Sequence, residues 1–167
     1  MPREADALAK ALSELSSIRV EAEKLGGALG EIRESPQSLN GAMGWLAVQG
    51  LASAIEKIYG GCERVMLSVA KNVDGQAIEV DEGWHRSLLL RMSIPFGVSR
   101  PAVLSKETLD ELDKLRSFRH RERNSYGSEL IIERVLEMAA DAVLAPALLA
   151  EDLKRLTTFL EGNGPRL

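Results

Sequence analysis

This sequence is short of cysteine, histidine and aromatics, and each shortage closes off a class of protein. Cys62 is the only cysteine in 167 residues, so no disulfide can form within the chain, and a reducing cytoplasm suits it. The two histidines, His85 and His120, stand far apart, with no His-Glu-x-x-His and no paired-cysteine spacing, so no zinc motif is recognisable. Gly26-Gly27 and Gly60-Gly61 lack the following Gly-Lys-Ser/Thr of a Walker loop, and no cofactor is expected. Aromatics make up 4% of the residues while Leu, Ala and Glu abound, which favours helices over sheets. The longest apolar runs, Ala42 to Ile55 and Val135 to Ala150, fall short of the roughly 20 residues of a membrane span, and the second carries Glu137 and Asp141. Met1 to Asp6 has no apolar signal-peptide core, so a cytoplasmic protein with no membrane partner is expected. A basic excess is missing too: the net charge is -4 and the pI near 5.3, so any contact with nucleic acid must be local.

What is present is helical periodicity. Leu8, Leu12, Leu15, Ile18 and Leu25 recur at steps suited to a first helix from about Glu4 to Arg33, stopped by Ser35-Pro36. A second helix is expected from Leu39 to Val73, its first half rich in small residues suited to close helix approach and its end marked by Asn72-Val73-Asp74-Gly75. Asp81 or Glu82 is expected to cap a short helix from Gly83 to Met92, and Ser105 to Thr108 reads as the start of a fourth. The last long helix begins at Ser128 or Glu129, with Pro146 expected to kink or split it. The expectation is a single all-α domain over 1–167: an N-terminal helix at 1–35, then a bundle at 39–161 with its most informative helix at 105–126.

That fourth helix concentrates the chemistry. Between Arg116 and Arg123 stand four arginines against one glutamate, in a chain that is acidic overall, and such a cluster points to an anion, most plausibly phosphate. At about 100° per residue, Leu109, Leu112 and Leu115 set an apolar stripe whose continuation includes Arg119 and Tyr126, with Arg123 at its edge. An arginine on an inward face implies a paired charge, a cleft or an interface. His120 shares a second face with Arg116 and Asn124. Arginines that hold a phosphodiester, beside a histidine that moves a proton, suffice for metal-independent RNA cleavage by attack of the ribose 2′-hydroxyl on its own phosphate. One helix offers no opposing group, whereas two copies about a two-fold would face each other across a charged groove. Cys62 reads as a core residue, and His85 as a structural histidine with a smaller claim on the site.

Over about Leu51 to Leu160 the chain resembles the HEPN superfamily, and within it the HepT-like ribonuclease toxins. The residues that carry the resemblance are Gly83-Trp84-His85-Arg86-Ser87-Leu88-Leu89, Arg100-Pro101, and Leu115 to Gly127. The resemblance implies an up-down bundle of about five helices that forms a two-fold dimer with a composite ribonuclease site. It also implies a toxin-antitoxin system whose antitoxin is an MNT-type nucleotidyltransferase that attaches AMP to the motif tyrosine. Position by position, Arg119 matches the motif arginine, His120 its polar neighbour and Tyr126 the AMP acceptor, while Asn124 stands where the motif has histidine. Catalysis is then expected from Arg119 and His120, with Arg116, Arg123 and Asn124 holding RNA phosphate. The alternative is a non-catalytic RNA- or nucleotide-binding subunit that partners the nucleotidyltransferase, since asparagine cannot shuttle a proton at neutral pH.

Overall fold

Three helices of more than thirty residues brace two shorter ones. A computed structural model of the chain describes residues 2–124 and 130–162, and of residues 2, 3 and 120–124 the backbone alone. The all-α expectation holds. Among the described residues there are five α-helices, α1 (Pro2–Glu34), α2 (Gly41–Asn72), α3 (Trp84–Met92), α4 (Lys106–Asn124) and α5 (Ile132–Gly162), with a 3-10 turn at Pro36–Leu39. The one extended pairing among them is an isolated bridge between Phe96 and Arg100.

The ion pairs between helices give their directions. Glu14 meets Arg64 at 2.9 Å and Glu21 meets Lys57 at 2.8 Å, so α1 and α2 run antiparallel. Leu8 and Leu12 line a cleft with Thr157 and Leu160, and Gly26 faces Val143, so α1 also opposes α5. Lys114 lies 3.9 Å from Asp141, and the Ser105 amide donates to Asp152 Oδ2 at 2.9 Å, so α4 opposes α5 as well. An up-down bundle follows, its core filled by Leu15, Ile55, Ile58, Met66, Leu112, Leu115, Met138, Leu149 and their neighbours.

Some local details depart from the sequence expectations. The close approach of α1 and α2 falls at Gly61, where an added Cβ would lie 2.6 Å from Ile18 Cδ1, and not at Gly50, which has open space beside it. Pro146 is buried inside α5 and does not split it. Neither Asp81 nor Glu82 caps α3 with its side chain. The cap is Gly83 at φ +98°, a left-handed turn that glycine enters without the Cβ penalty, and Asp81 contributes only its carbonyl to the Trp84 amide. No described helix is long and apolar enough to cross a membrane.

A buried ionic lock shapes the connection between α3 and α4. Arg100 is fully buried and grips the Asp74 carboxylate with two prongs, Nε to Oδ1 at 2.5 Å and Nη2 to Oδ2 at 2.9 Å. Its remaining donors reach the carbonyls of Ile94, Pro101 and Arg91. Arg91 from α3 adds a second cation to Asp74 Oδ2 at 2.8 Å. A desolvated pair of this kind is tolerable only when every donor is satisfied, and here each is. The lock delivers the chain to Ser105, whose hydroxyl accepts from the Thr108 amide at 3.2 Å and starts α4.

Candidate active site

The inward stripe of α4 continues from Leu112 and Leu115 through Phe118, all buried, to Arg119. Arginine in that position must find a counter-charge, and it finds Glu63 of α2: Arg119 Nη1 donates to Glu63 Oε2 at 2.5 Å. Glu63 lies four residues after Tyr59 and three before Met66, on the face of α2 that packs inward, and its side chain is only 4% exposed. Its other oxygen, Oε1, is hydrogen-bonded to His85 Nδ1 of α3. One buried carboxylate thus joins an arginine from α4 to a histidine from α3.

The surroundings of this trio are partly open. The His85 side chain is 30% exposed and that of Arg119 is 18% exposed. Trp84 packs its ring against the imidazole at a centroid distance of 3.9 Å, fixing one face of it. With Nδ1 held by the carboxylate, Nε2 is the nitrogen left for solvent or a ligand, and it makes no hydrogen bond among the described residues. Under the trio lies Tyr59, its ring centroid 5.9 Å from Arg119 Cζ. Burial, reinforced by the Glu63 charge, pushes the Tyr59 phenol well above its usual range, so it stays neutral. Its hydroxyl and Arg119 Nε are both buried without a hydrogen-bond partner among the described residues. Unsatisfied buried donors are uncommon, and both of these belong to the same cluster.

The sequence-expected residues are distributed as follows. Arg119 is at the centre of the cluster. Arg116 turns along its own helix, with Nε on Asp113 Oδ1 at 2.7 Å and Nη2 on Ser117 Oγ at 3.3 Å. The side chains of His120, Arg123 and Asn124 lie outside the described residues, as does Tyr126 altogether. Arg119 pairs with Glu63 of α2, while Glu137 of α5 pairs with Arg134 at 2.8 Å. Sequence reasoning passed over Glu63 and Tyr59 entirely and gave His85 a minor part. The signal for Glu63 was present: an acid at helical spacing between Tyr59 and Met66, on an apolar stripe, calls for a buried partner just as Arg119 does. Cys62, one residue before it, is fully buried, and burial together with the Glu63 charge pushes its thiol up to about 12, so it is a packing residue at neutral pH.

A family model described as HepT-like protein matches residues 50–160, which include Glu63, His85 and Arg119. No curated protein and no solved structure matches the chain.

Proposed function

Because this chain belongs to the HepT-like family of the HEPN superfamily, we propose that it is the ribonuclease-type toxin of a toxin-antitoxin pair. It acts as a homodimer that cleaves RNA without a metal ion, using 2′-hydroxyl attack on the neighbouring phosphate. The observation that supports this reading most is the Arg119 guanidinium turned inward onto Glu63 beside His85. An arginine so held is pre-aimed at a phosphate and needs little reorganisation to stabilise the charge that builds up on it. Arg116, Arg123 and Asn124 extend the phosphate-binding surface along α4, with His120 next to the central arginine. The partner is an MNT-type nucleotidyltransferase, and Tyr126 is the residue that would accept AMP from it. Residues 39–161 form the working bundle and 1–35 an N-terminal brace in one domain.

A second reading is favoured by one feature of the sequence. Asn124 occupies the motif histidine position, which suits a subunit that binds RNA or nucleotide without cutting it. Purified protein incubated with structured RNA in excess EDTA separates the two. The toxin reading expects cleavage, lost by a factor of about 100 or more in Arg119→Ala, the usual effect of removing one transition-state donor. Binding with no cleavage by the intact protein favours the second reading.

A further inference from the structure

We infer that His85, held by Glu63, is the proton-transfer residue of this site and takes the role of the imidazole that Asn124 lacks. The inference rests on the ribonuclease reading and adds the residue that performs its acid-base step. Three observations carry it. Asn124 has no titratable proton, so the imidazole of the acid-base step comes from His120, beside Arg119 on α4, or from His85 on α3. His85 is one of two histidines in the chain, and α3 brings it to the same buried carboxylate that holds Arg119. The carboxylate takes Nδ1 and so fixes the tautomer, and the ring is half-covered by Trp84 yet 30% exposed, which leaves Nε2 on the open side. The groups facing the ring are Glu63 from α2, with Arg119 of α4 behind it, and Trp84 from its own helix.

The reaction closes as follows. Nε2 takes the proton of the ribose 2′-hydroxyl as O2′ bonds to phosphorus, and Arg119 donors not engaged by Glu63 stabilise the added negative charge. The bond from phosphorus to O5′ breaks, and O5′ takes a proton from water. The products are a 2′,3′-cyclic phosphate end and a 5′-hydroxyl end, and the imidazolium returns its proton to solvent. In this scheme Glu63 is a positioning residue that touches no substrate.

The test compares His85→Asn, His85→Gly, Glu63→Gln and Arg119→Ala with the intact protein, using a structured RNA in EDTA. His85→Asn keeps a donor for Glu63 while removing the titratable ring. It is expected to lose cleavage by about 100-fold or more and to lose whichever limb of the pH–rate profile the imidazole contributes, with its melting temperature near that of the intact chain. Glu63→Gln is expected to lose about 10- to 100-fold. His85→Gly is expected to recover activity when free imidazole is added, a response that a merely structural histidine would not give. Cleavage by His85→Asn within a few-fold of the intact protein, or failure of imidazole to restore an inactive His85→Gly, overturns the role of His85. With Arg119→Ala still inactive, either result leaves the ribonuclease reading standing. Absence of cleavage by the intact protein overturns both.

Discussion

Two buried carboxylates from the same stretch of chain, Glu63 and Asp74, are used in opposite ways. Each bridges two basic side chains, one from α3 and one from farther along: His85 and Arg119 at Glu63, Arg91 and Arg100 at Asp74. Around Asp74 the geometry is closed, since Arg100 is wholly buried and each of its nitrogens has an acceptor. Around Glu63 it is incomplete, because Arg119 Nε and the Tyr59 hydroxyl lack partners among the described residues and the imidazole reaches solvent. A closed ionic knot holds a loop in place. An unfinished one that keeps the Arg119 and His85 side chains partly exposed leaves polar groups within reach of a ligand, which is why the Glu63 cluster is the candidate for chemistry and the Asp74 cluster is not.

The contrast can be broken by mutation. Arg100→Ala leaves Asp74 buried with a single counter-charge and should cost about 3–5 kcal/mol, the range for breaking a buried pair, as read from urea unfolding. Arg119→Ala should cost less, about 1–3 kcal/mol, because its site already meets solvent. Equal losses at the two positions would erase the distinction between lock and site. Activity should rank the two the other way, Arg119→Ala losing about 100-fold or more under conditions where the folded fraction of Arg100→Ala still cleaves.

Cys62 supplies a finer probe. Its thiol, buried and raised to about 12, should resist alkylation at neutral pH in the intact protein and in His85→Asn. In Arg100→Ala alkylation should accelerate in step with unfolding. Faster labelling of His85→Asn would mean that the Glu63 cluster, too, maintains the core.

The smallest effect belongs to Asp141, a half-buried carboxyl crowded by Glu111, with Lys114 no nearer than 3.9 Å. Burial first, then the Glu111 charge, raises its pKa above the ordinary 3.8. The folded chain therefore holds that proton more tightly than the unfolded chain does. The associated stability is complete below the unfolded pKa and is lost as pH rises through the folded one. Asp141→Asn should flatten this acid-side decline in a thermal-melt series, and an unchanged profile would remove Asp141 from the account.

Much of the fold could be read from residue spacing. The stripe Leu8, Leu15, Ile18 and Leu25 is buried along α1, and Leu112 and Leu115 are buried on α4 as their three-residue step requires. The span of α3 was legible but its cap was not, because Asp81 and Glu82 are good capping residues by chemistry, whereas the chain turns through a positive φ at Gly83 that an acid would strain to adopt. At the site, periodicity shows that Arg119 points inward and so needs a partner. It cannot say which one, since Glu63 lies 56 residues away and the pairing depends on how α2 and α4 cross. His85 was underrated for the same reason: its importance comes from a neighbour 22 positions back.

The Ser105 amide, tied to Asp152 of α5, has a bearing on the aim of Arg119. At 1.5 Å per residue the two ends of that stretch of α4 are about 21 Å apart, and the helix between them is a stiff rod. Turning the rod by a single residue step would swing the guanidinium roughly 100° off its carboxylate. The far end of the arginine's helix is thus tethered by an aspartate that takes no part in the site, adding to the hold of the buried stripe Leu112, Leu115 and Phe118.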